Sequence, residues 1–311
     1  MRIIFAGSGE FGLPTLRGLI EAGEKIVQVI SQPDRPSGRG RKLTPTPVSQ
    51  FALENKLQLA RTANVNAESL PEADVMVVIA FGQKIVAEIV SRPKYGSVNL
   101  HASLLPKFRG AAPIHWAILR GETETGNSVI RLAQRMDAGA ILGQSRLKIE
   151  EAETTGELHD RLANDGAMLM RRVLADLAAG KAIETPQDES QATMAPKLSR
   201  EESRIEWRQD AAAVARRICA MAPWPGCRVR LMDAAKNELA MMTLLKARPT
   251  AGEGCRWNPG ETCGEACISC GDGGGAVEIL RVQPAGGRPM SVGEYRRGNV
   301  WCPGMTVESI V

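Results

Sequence analysis

The sequence predicts an α/β protein built in two parts, a doubly wound, mostly parallel sheet followed by a smaller β-barrel. Three observations predict it. Strand-length apolar runs alternate with helical repeats as far as Gly180, the order that gives βαβ units and a parallel sheet. Asp74 to Phe81 is apolar almost throughout, as suits a parallel strand buried on both faces. From Ser203 onward the segments become short, alternate in polarity and are broken by Gly and Pro, the pattern of a small barrel.

A chain of 311 residues has room for two such cores. Hydrophobic residues make up 43% and charged residues 24%, the balance of an ordinary globular chain. No apolar run approaches the roughly 20 residues of a membrane span. Met1 to Ile4 leads directly into a strand rather than a signal peptide, so a cytoplasmic protein is expected. The seven cysteines all lie beyond residue 200 and do not form a secreted disulfide framework. A formal charge of +4 is too small to mark a nucleic-acid binder, so the location of the charge matters more.

Arg2 to Ala6 is the first strand, and Leu13, Leu16, Leu19 and Ile20 give the first helix its apolar face. Between them Gly7-Ser8-Gly9-Glu10-Phe11-Gly12 matches G-x-G-x-x-G, with Asp34 further on as a candidate ribose ligand. The next strand, Ile26 to Ser31, runs into Gln32-Pro33-Asp34, so the acid falls past a proline. That favours a glycine turn packing helix on sheet over a nicotinamide site. Gln32 to Leu43 carries four basic residues, Arg35, Arg39, Arg41 and Lys42, against one acid, and its Gly and Pro exclude a helix or strand interior. It reads as a solvated loop or as a basic arm that neutralises phosphate.

Pro47 to Lys56 is a predicted helix and Leu57 to Ala60 a predicted strand; a helix through Ile85, Ile89 and Val90 follows Phe81-Gly82-Gln83. Val98 to His101 then alternates apolar with polar, so Asn99 and His101 project from one face of a strand end. Pro106, Gly110 and Pro113 force an ordered loop after it. An amide and an imidazole where a strand opens into a loop occupy the place at which α/β sheets bind ligands. Ala112 to Arg120 is helical, and Thr125 to Leu132 and Ala140 to Ile149 are strands. The turn between those strands, Arg135-Met136-Asp137-Ala138-Gly139, presents one carboxylate. Thr154-Thr155-Gly156-Glu157 caps the long helix that Gly180 ends.

Ala182 to Glu202 has no periodicity and five acids against two bases, which reads as a linker. Beyond it come a strand at Ile205 to Trp207, a helix near Ala211 to Met221, and strands at Cys227 to Met232, Met241 to Lys246, Gly264 to Ser269 and Ala276 to Gln283. Fourteen bases against eleven acids from Ser203 leave room for a barrel face that meets RNA. Cys263-x3-Cys267-x2-Cys270, with Cys255 upstream, has a spacing at which thiolates can hold zinc or an iron–sulfur cluster. Packed or exposed thiols are the simpler reading, and no metal is expected.

Asn99-x-His101-x-Ser103-Leu104-Leu105-Pro106 with Arg109-Gly110-Ala111-Ala112-Pro113-Ile114 resembles the signature of the folate-dependent formyltransferases. Gln32-Pro33-Asp34-Arg35-Pro36-x-Gly38-Arg39-Gly40 resembles the loop that one branch of that family inserts at the acceptor end of initiator tRNA. Lys197-Leu198-Ser199, Arg204-Ile205-x-Trp207, Pro223-Trp224-Pro225 and Gln283-Pro284-Ala285-Gly286 point to the same branch. The likeness runs over nearly the whole chain. It implies a Rossmann-like catalytic domain at 1–182, a linker at 183–202 and an OB-like barrel at 203–311 that assists tRNA binding. Ala102 stands where many relatives have Gly, Phe81 where Tyr is frequent, and Ala140 where some have an acid. The cysteine-rich stretch from Cys255 to Cys270 has no counterpart in the resemblance.

The resemblance also implies the chemistry. A formyl group passes from 10-formyltetrahydrofolate to the α-amino group of methionyl initiator tRNA, with Asn99 as oxyanion donor, His101 as proton-transfer group and Asp137 as its charge partner. Implied folate contacts are Phe81, Gly82, Gln83, Ser103, Leu104, Leu105, Pro106, Met136, Ala138 and Gly139. Implied tRNA contacts are Arg35, Arg39, Arg41, Lys42, Lys107 and Arg109. No metal is needed, because the formyl group already sits on a good leaving amine, and a monomer without a membrane partner is expected. His115 and His159 keep structural roles. Two other classes stay open: a nicotinamide-dependent oxidoreductase, from Gly7, Gly9 and Gly12, and a non-catalytic RNA binder, from the Arg35 to Lys42 loop.

Overall fold

The structure, a computed structural model, describes residues 1–37, 40, 42–250, 257–271 and 274–311; Arg39, Arg41 and Cys255 lie outside the described residues. The chain divides into two compact units, one of Met1–Gly110, Thr125–Leu147 and His159–Ala195, the other of Ala111–Glu124, Lys148–Leu158 and Pro196–Val311. In order come β1 (Arg2–Gly7), α1 (Leu13–Glu21), β2 (Lys25–Ser31), β3 (Arg35–Ser37), β4 (Lys42–Thr44), α2 (Pro47–Glu54), β5 (Leu59–Arg61), β6 (Val75–Ile79), α3 (Ala87–Ser91), β7 (Ser97–His101), α4 (Pro113–Arg120), β8 (Glu124–Arg131), β9 (Ile141–Lys148) and α5 (Thr155–Ala178). The remainder holds α6 (Ala211–Ala220), β10 (Cys227–Met232), β11 (Glu238–Thr250), β12 (Cys267–Cys270), β13 (Gly275–Pro284), β14 (Met290–Ser291), α7 (Val292–Arg296) and β15 (Thr306–Ile310).

The first unit is organised on a seven-stranded sheet in the order β5-β2-β1-β6-β7-β8-β9. β1 pairs in parallel with β2 and β6, β2 with β5 and β6 with β7, while β8 runs antiparallel to β7. The chain steps outward from β1 to β2 and β5, then returns to β6 on the other side of β1. Such a reversal marks a doubly wound, Rossmann-like sheet, with the ligand crevice at the carboxyl ends of its strands. β6 is buried at all five positions, which explains why its sequence is an unbroken apolar run rather than an alternation. Ile3, Phe5 and Met76 are fully buried, and each such side chain contributes about 1.5–3 kcal/mol of apolar burial.

The glycine turn after β1 is filled by the protein itself. A Cβ on Gly7 would stand 2.9 Å from the Ile79 carbonyl oxygen and 2.9 Å from the Phe5 ring, so the first glycine is set by close packing against the neighbouring strand; one on Gly12, at the head of α1, would stand 3.2 Å from that ring, which is the close approach of helix to sheet.

Some local expectations change. β3 and β4 pair as an antiparallel ribbon, Arg35 opposite Thr44 and Ser37 opposite Lys42, within the stretch expected to hold no strand. A two-stranded ribbon has open edges on both sides, so Pro36 can sit in it without breaking a larger ladder. Ile205 to Trp207 is not a strand; it turns, with Gln209 donating to the Glu206 carbonyl at 3.0 Å. α3 begins only at Ala87, beyond Ile85.

In the second unit the strand order is β12-β13-β11-β10-β15, with β14 beside β13, all in antiparallel pairs. The sheet curls into an OB-like half-barrel, and residues 260–262 bridge its ends. Thr262 donates to Met305 at 2.8 Å, Val307 to Gly260 at 2.7 Å and Gly260 to Ser269 at 2.8 Å. β10 alternates buried Cys227, Val229 and Leu231 with exposed Arg228 and Arg230, the half-buried pattern that the sequence displays. The edge strand β15 and the short β14 and α7 were not anticipated from the sequence.

Candidate active site

β7 delivers two of the three expected catalytic groups. Its register sets Asn99 beside Val78 of β6 and His101 opposite Ser128 of β8. Asn99 donates from Nδ2 to the Val78 carbonyl at 2.9 Å. Its buried Oδ1 has no hydrogen-bond partner among the described residues. His101 is only 7% exposed, and its Nε2 lies 2.8 Å from the Phe108 carbonyl oxygen. A carbonyl can only accept, so Nε2 carries a proton, and in the neutral ring Nδ1 then holds the lone pair. Nδ1 faces Oδ2 of Asp137 at 3.7 Å. That is too long for a hydrogen bond, yet close enough for a charge pair once Nδ1 takes a proton.

Asp137 comes from the turn between β8 and β9 and has a φ of 54°, a left-handed conformation that costs a non-glycine residue about 1–3 kcal/mol. The surroundings hold it there. The Gly110 N–H donates to Oδ2 at 2.8 Å. Gln187 Nε2 donates to the carbonyls of Asp137 at 2.7 Å and Gly139 at 2.8 Å.

The loop after His101 is equally fixed. Ser128 Oγ donates to the Ser103 carbonyl at 2.7 Å and accepts from the Leu105 N–H at 3.0 Å, and Gln144 donates to the Leu105 carbonyl at 3.0 Å. Ser103 Oγ donates to the Lys107 carbonyl at 2.7 Å. These bonds satisfy buried polar groups and so fix the loop that carries the Phe108 carbonyl toward the imidazole.

The implied folate contacts cluster around the same strand ends, though several spend their side chains inside the fold. Phe81 packs in the core, and its carbonyl accepts from Gln32 Nε2 at 2.8 Å. The Gln83 amide serves the Val65 N–H at 2.8 Å and the Thr62 carbonyl at 2.7 Å. Gly82 is exposed; Ser103, Leu105 and Gly139 are buried; Leu104, Pro106 and Ala138 are half-buried. Met136 is 69% exposed.

The implied tRNA contacts divide in two. Arg35, Lys42 and Lys107 are exposed, Arg35 also donating to Gln32 Oε1. Arg109 departs from the expectation: it is only 2% exposed and turns its guanidinium inward. Nε and Nη2 reach Gln187 Oε1 at 3.0 and 2.7 Å, and Nη1 and Nη2 reach the Glu189 carboxylate at 3.0 and 2.8 Å. Arg135 adds a bond to Glu189 at 2.9 Å. The Arg109 bonds, then those of Arg135, hold the Glu189 carboxyl down at about 2. A buried guanidinium must have its donors satisfied, and residues 187–189 do that work. Sequence reasoning missed Gln187 and Glu189, which lie outside any periodic element, and Ser128 and Gln144, which lie on β8 and β9 but in no motif that signals chemistry.

Among the described residues no group of three or more His, Cys, Asp or Glu side chains can hold a metal. Burial pushes the Cys219 thiol up to about 11 and the Cys227 thiol up to about 12. No helix of the described residues is long and apolar enough to cross a membrane. His159 stacks edge-on against Phe11 at 5.3 Å.

A family model described as formyl transferase matches residues 1–174, and one described as formyl transferase, C-terminal domain, matches residues 197–300. The chain is similar to a methionyl-tRNA formyltransferase of Methylococcus capsulatus, 42% identical over 305 residues that cover 95% of this chain and 96% of that protein. In fold it resembles an N-formyltransferase from Helicobacter canadensis in complex with folinic acid and dTDP-3-aminofucose, at 17% identity and a TM-score of 0.66, over 90% of this chain and 99% of that one. It also resembles HypX from Aquifex aeolicus in complex with tetrahydrofolic acid, at 20% identity and a TM-score of 0.62; 95% of this chain aligns with 46% of that longer one.

Proposed function

Because the chain belongs to the formyl transferase family, we propose that Asn99, His101 and Asp137 transfer a formyl group from 10-formyltetrahydrofolate to the α-amino group of methionyl initiator tRNA. The observation that carries this reading is the imidazole of His101, pinned through Nε2 to Phe108 with its Nδ1 turned to Asp137. When bound, 10-formyltetrahydrofolate supplies a formyl group on a nitrogen that leaves as an amine.

Asn99 fits the formyl end. After its bond to Val78, Nδ2 keeps one hydrogen for the charge that develops on the formyl oxygen, and its unpartnered Oδ1 can accept an N–H from the incoming amine. One such oxyanion donor is worth about 3 kcal/mol of transition-state stabilisation. His101 takes at Nδ1 the proton that the attacking amine loses, and Asp137 faces the resulting imidazolium. The same proton then goes to the leaving nitrogen. One carbon–nitrogen bond forms, one breaks, and a single proton passes between the two nitrogens, so no oxidant or reductant enters.

Arg35, Arg39, Arg41, Lys42 and Lys107 serve the tRNA backbone in this reading, which the exposure of Arg35, Lys42 and Lys107 supports. Arg109 instead holds the Asp137 turn from within. Residues 1–182 carry catalysis, the OB-like part at 203–311 assists tRNA binding, and the enzyme acts as a monomer in the cytoplasm.

The test is direct. With methionyl initiator tRNA and formyl-labelled 10-formyltetrahydrofolate, label appears on the aminoacyl ester and a sugar-nucleotide amine does not compete. Label on the sugar amine alone, or none on either acceptor, overturns the reading.

A further inference from the structure

We infer that residues 185–195, a stretch that looks like linker in the sequence, form a strap whose Gln187 and Glu189 position Asp137 and the Phe108 carbonyl on the two nitrogens of His101. The inference rests on the proposed roles of His101 and Asp137.

The strap is bonded along its length. Thr185 exchanges backbone hydrogen bonds with Ile141 at the start of β9, at 2.8 and 2.9 Å. Gln187 then holds the carbonyls of Asp137 and Gly139. Glu189 takes the Arg109 guanidinium in two parallel bonds and Arg135 in a third. Thr193 accepts from the Phe108 N–H on Oγ1 at 2.9 Å and from the Arg109 N–H on its carbonyl at 2.8 Å, and Ala195 donates to the Arg109 carbonyl at 2.7 Å.

His101 is therefore addressed on both ring nitrogens by groups that hang from one segment. Phe108, whose carbonyl fixes Nε2, is bonded to Thr193; Asp137, which faces Nδ1, is bonded through its backbone to Gln187. Gly110, whose N–H orients the Asp137 carboxylate, follows directly on the clamped Arg109. Gln187 is the hinge of the arrangement, since its oxygen accepts from Arg109 while its nitrogen donates to the Asp137 turn. A single amide thus couples the loop that carries Phe108 to the turn that carries Asp137. Misplacement of a reacting group by about 1 Å can cost around a hundredfold in rate, so a strap of this kind belongs to the catalytic machinery without touching substrate.

Gln187→Glu separates positioning from packing. The side chain keeps its shape and its acceptor for Arg109 but loses the donor to the Asp137 and Gly139 carbonyls. The expected result is a fall in kcat of about ten- to a hundredfold, with KM for both folate and tRNA within about twofold of wild type and rates normalised to the enzyme that binds tetrahydrofolate. A role confined to stability lowers the folate-binding fraction and leaves the normalised kcat unchanged, which overturns the inference. Glu189→Gln, at a half-exposed position, carries the same test with a smaller loss should Gln187→Glu fail to fold. His101→Ala run in parallel distinguishes the two levels of argument: if it loses less than about tenfold, the proposed site itself is wrong, whereas a large loss there beside a wild-type kcat in both strap variants refutes the strap alone.

Discussion

The strand end around His101 and the β3–β4 ribbon are both polar, and they are built in opposite ways. At His101 the ring is 7% exposed, both partners of its nitrogens are held by further hydrogen bonds, and even the left-handed Asp137 is tied down by Gly110 and Gln187. On the ribbon, Lys42, Leu43 and Thr44 are all exposed, and Thr44 bonds through its hydroxyl to the Lys42 carbonyl. The first arrangement suits a proton transfer that tolerates little displacement. The second suits a partner with a repeating charge and a variable surface, where long cationic side chains act at a distance and at a cost in salt sensitivity.

The largest predicted effect lies on the rigid side of that comparison. His101→Ala and Asn99→Ala each lower kcat by about 10²–10³-fold while the tRNA KM stays within about threefold. A variant whose KM rose as steeply as its kcat fell would make the strand end a binding surface like the ribbon. Gly110→Ala comes next. A Cβ there would stand 2.5 Å from the Ala195 carbonyl oxygen on a backbone with φ of 127°, so either the loop or the strap must move. We expect about 1–3 kcal/mol of lost stability by denaturant unfolding, and a kcat defect in the protein that still folds.

In the basic stretch from Arg35 to Lys42, Arg39→Ala with Arg41→Ala raises the tRNA KM by about tenfold and leaves folate binding unchanged. The dependence of log(kcat/KM) on log[salt] becomes shallower, because fewer phosphates are neutralised and fewer counterions are released on binding. Equal effects on folate and tRNA would abolish the functional distinction between the ribbon and the strand end.

These two regions also differ in how far the sequence disclosed them. The Asn99/His101 pair was legible because a strand has a fixed period of two, so sequence spacing is already geometry. The alternation of β10 was legible for the same reason, and the unbroken apolar run of β6 because a strand buried on both faces carries no polar positions. Asp137 came only through resemblance, since a turn has no period that would point its carboxylate at a histidine thirty-six residues earlier. Gln187 and Glu189 were out of reach altogether. Their partners Arg109 and Arg135 are dozens of residues away, and a polar, aperiodic stretch reads as linker until the backbone bonds to Ile141 and Phe108 are seen. Arg109 shows the same limit, because charge alone does not tell a buried clamp from a phosphate ligand.

The smallest predicted effect probes the strap through pH. Arg109 and Arg135 hold the Glu189 carboxyl at about 2, below its ordinary value near 4.5. A depressed carboxyl contributes stability that is fully present above the ordinary value and is lost as pH falls through the folded one. Wild type and Glu189→Gln should therefore differ by a constant interval in Tm above about pH 4.5, and the interval should close as pH falls from there toward 2. The carboxylate is 53% exposed while its partner Arg109 is buried, so solvent screens the interaction from one side only and the interval is expected to be small. An interval unchanged down to about pH 2 would mean that the glutamate acts there through shape rather than charge, and the bidentate grip on Arg109 would then contribute nothing to holding the strap in place.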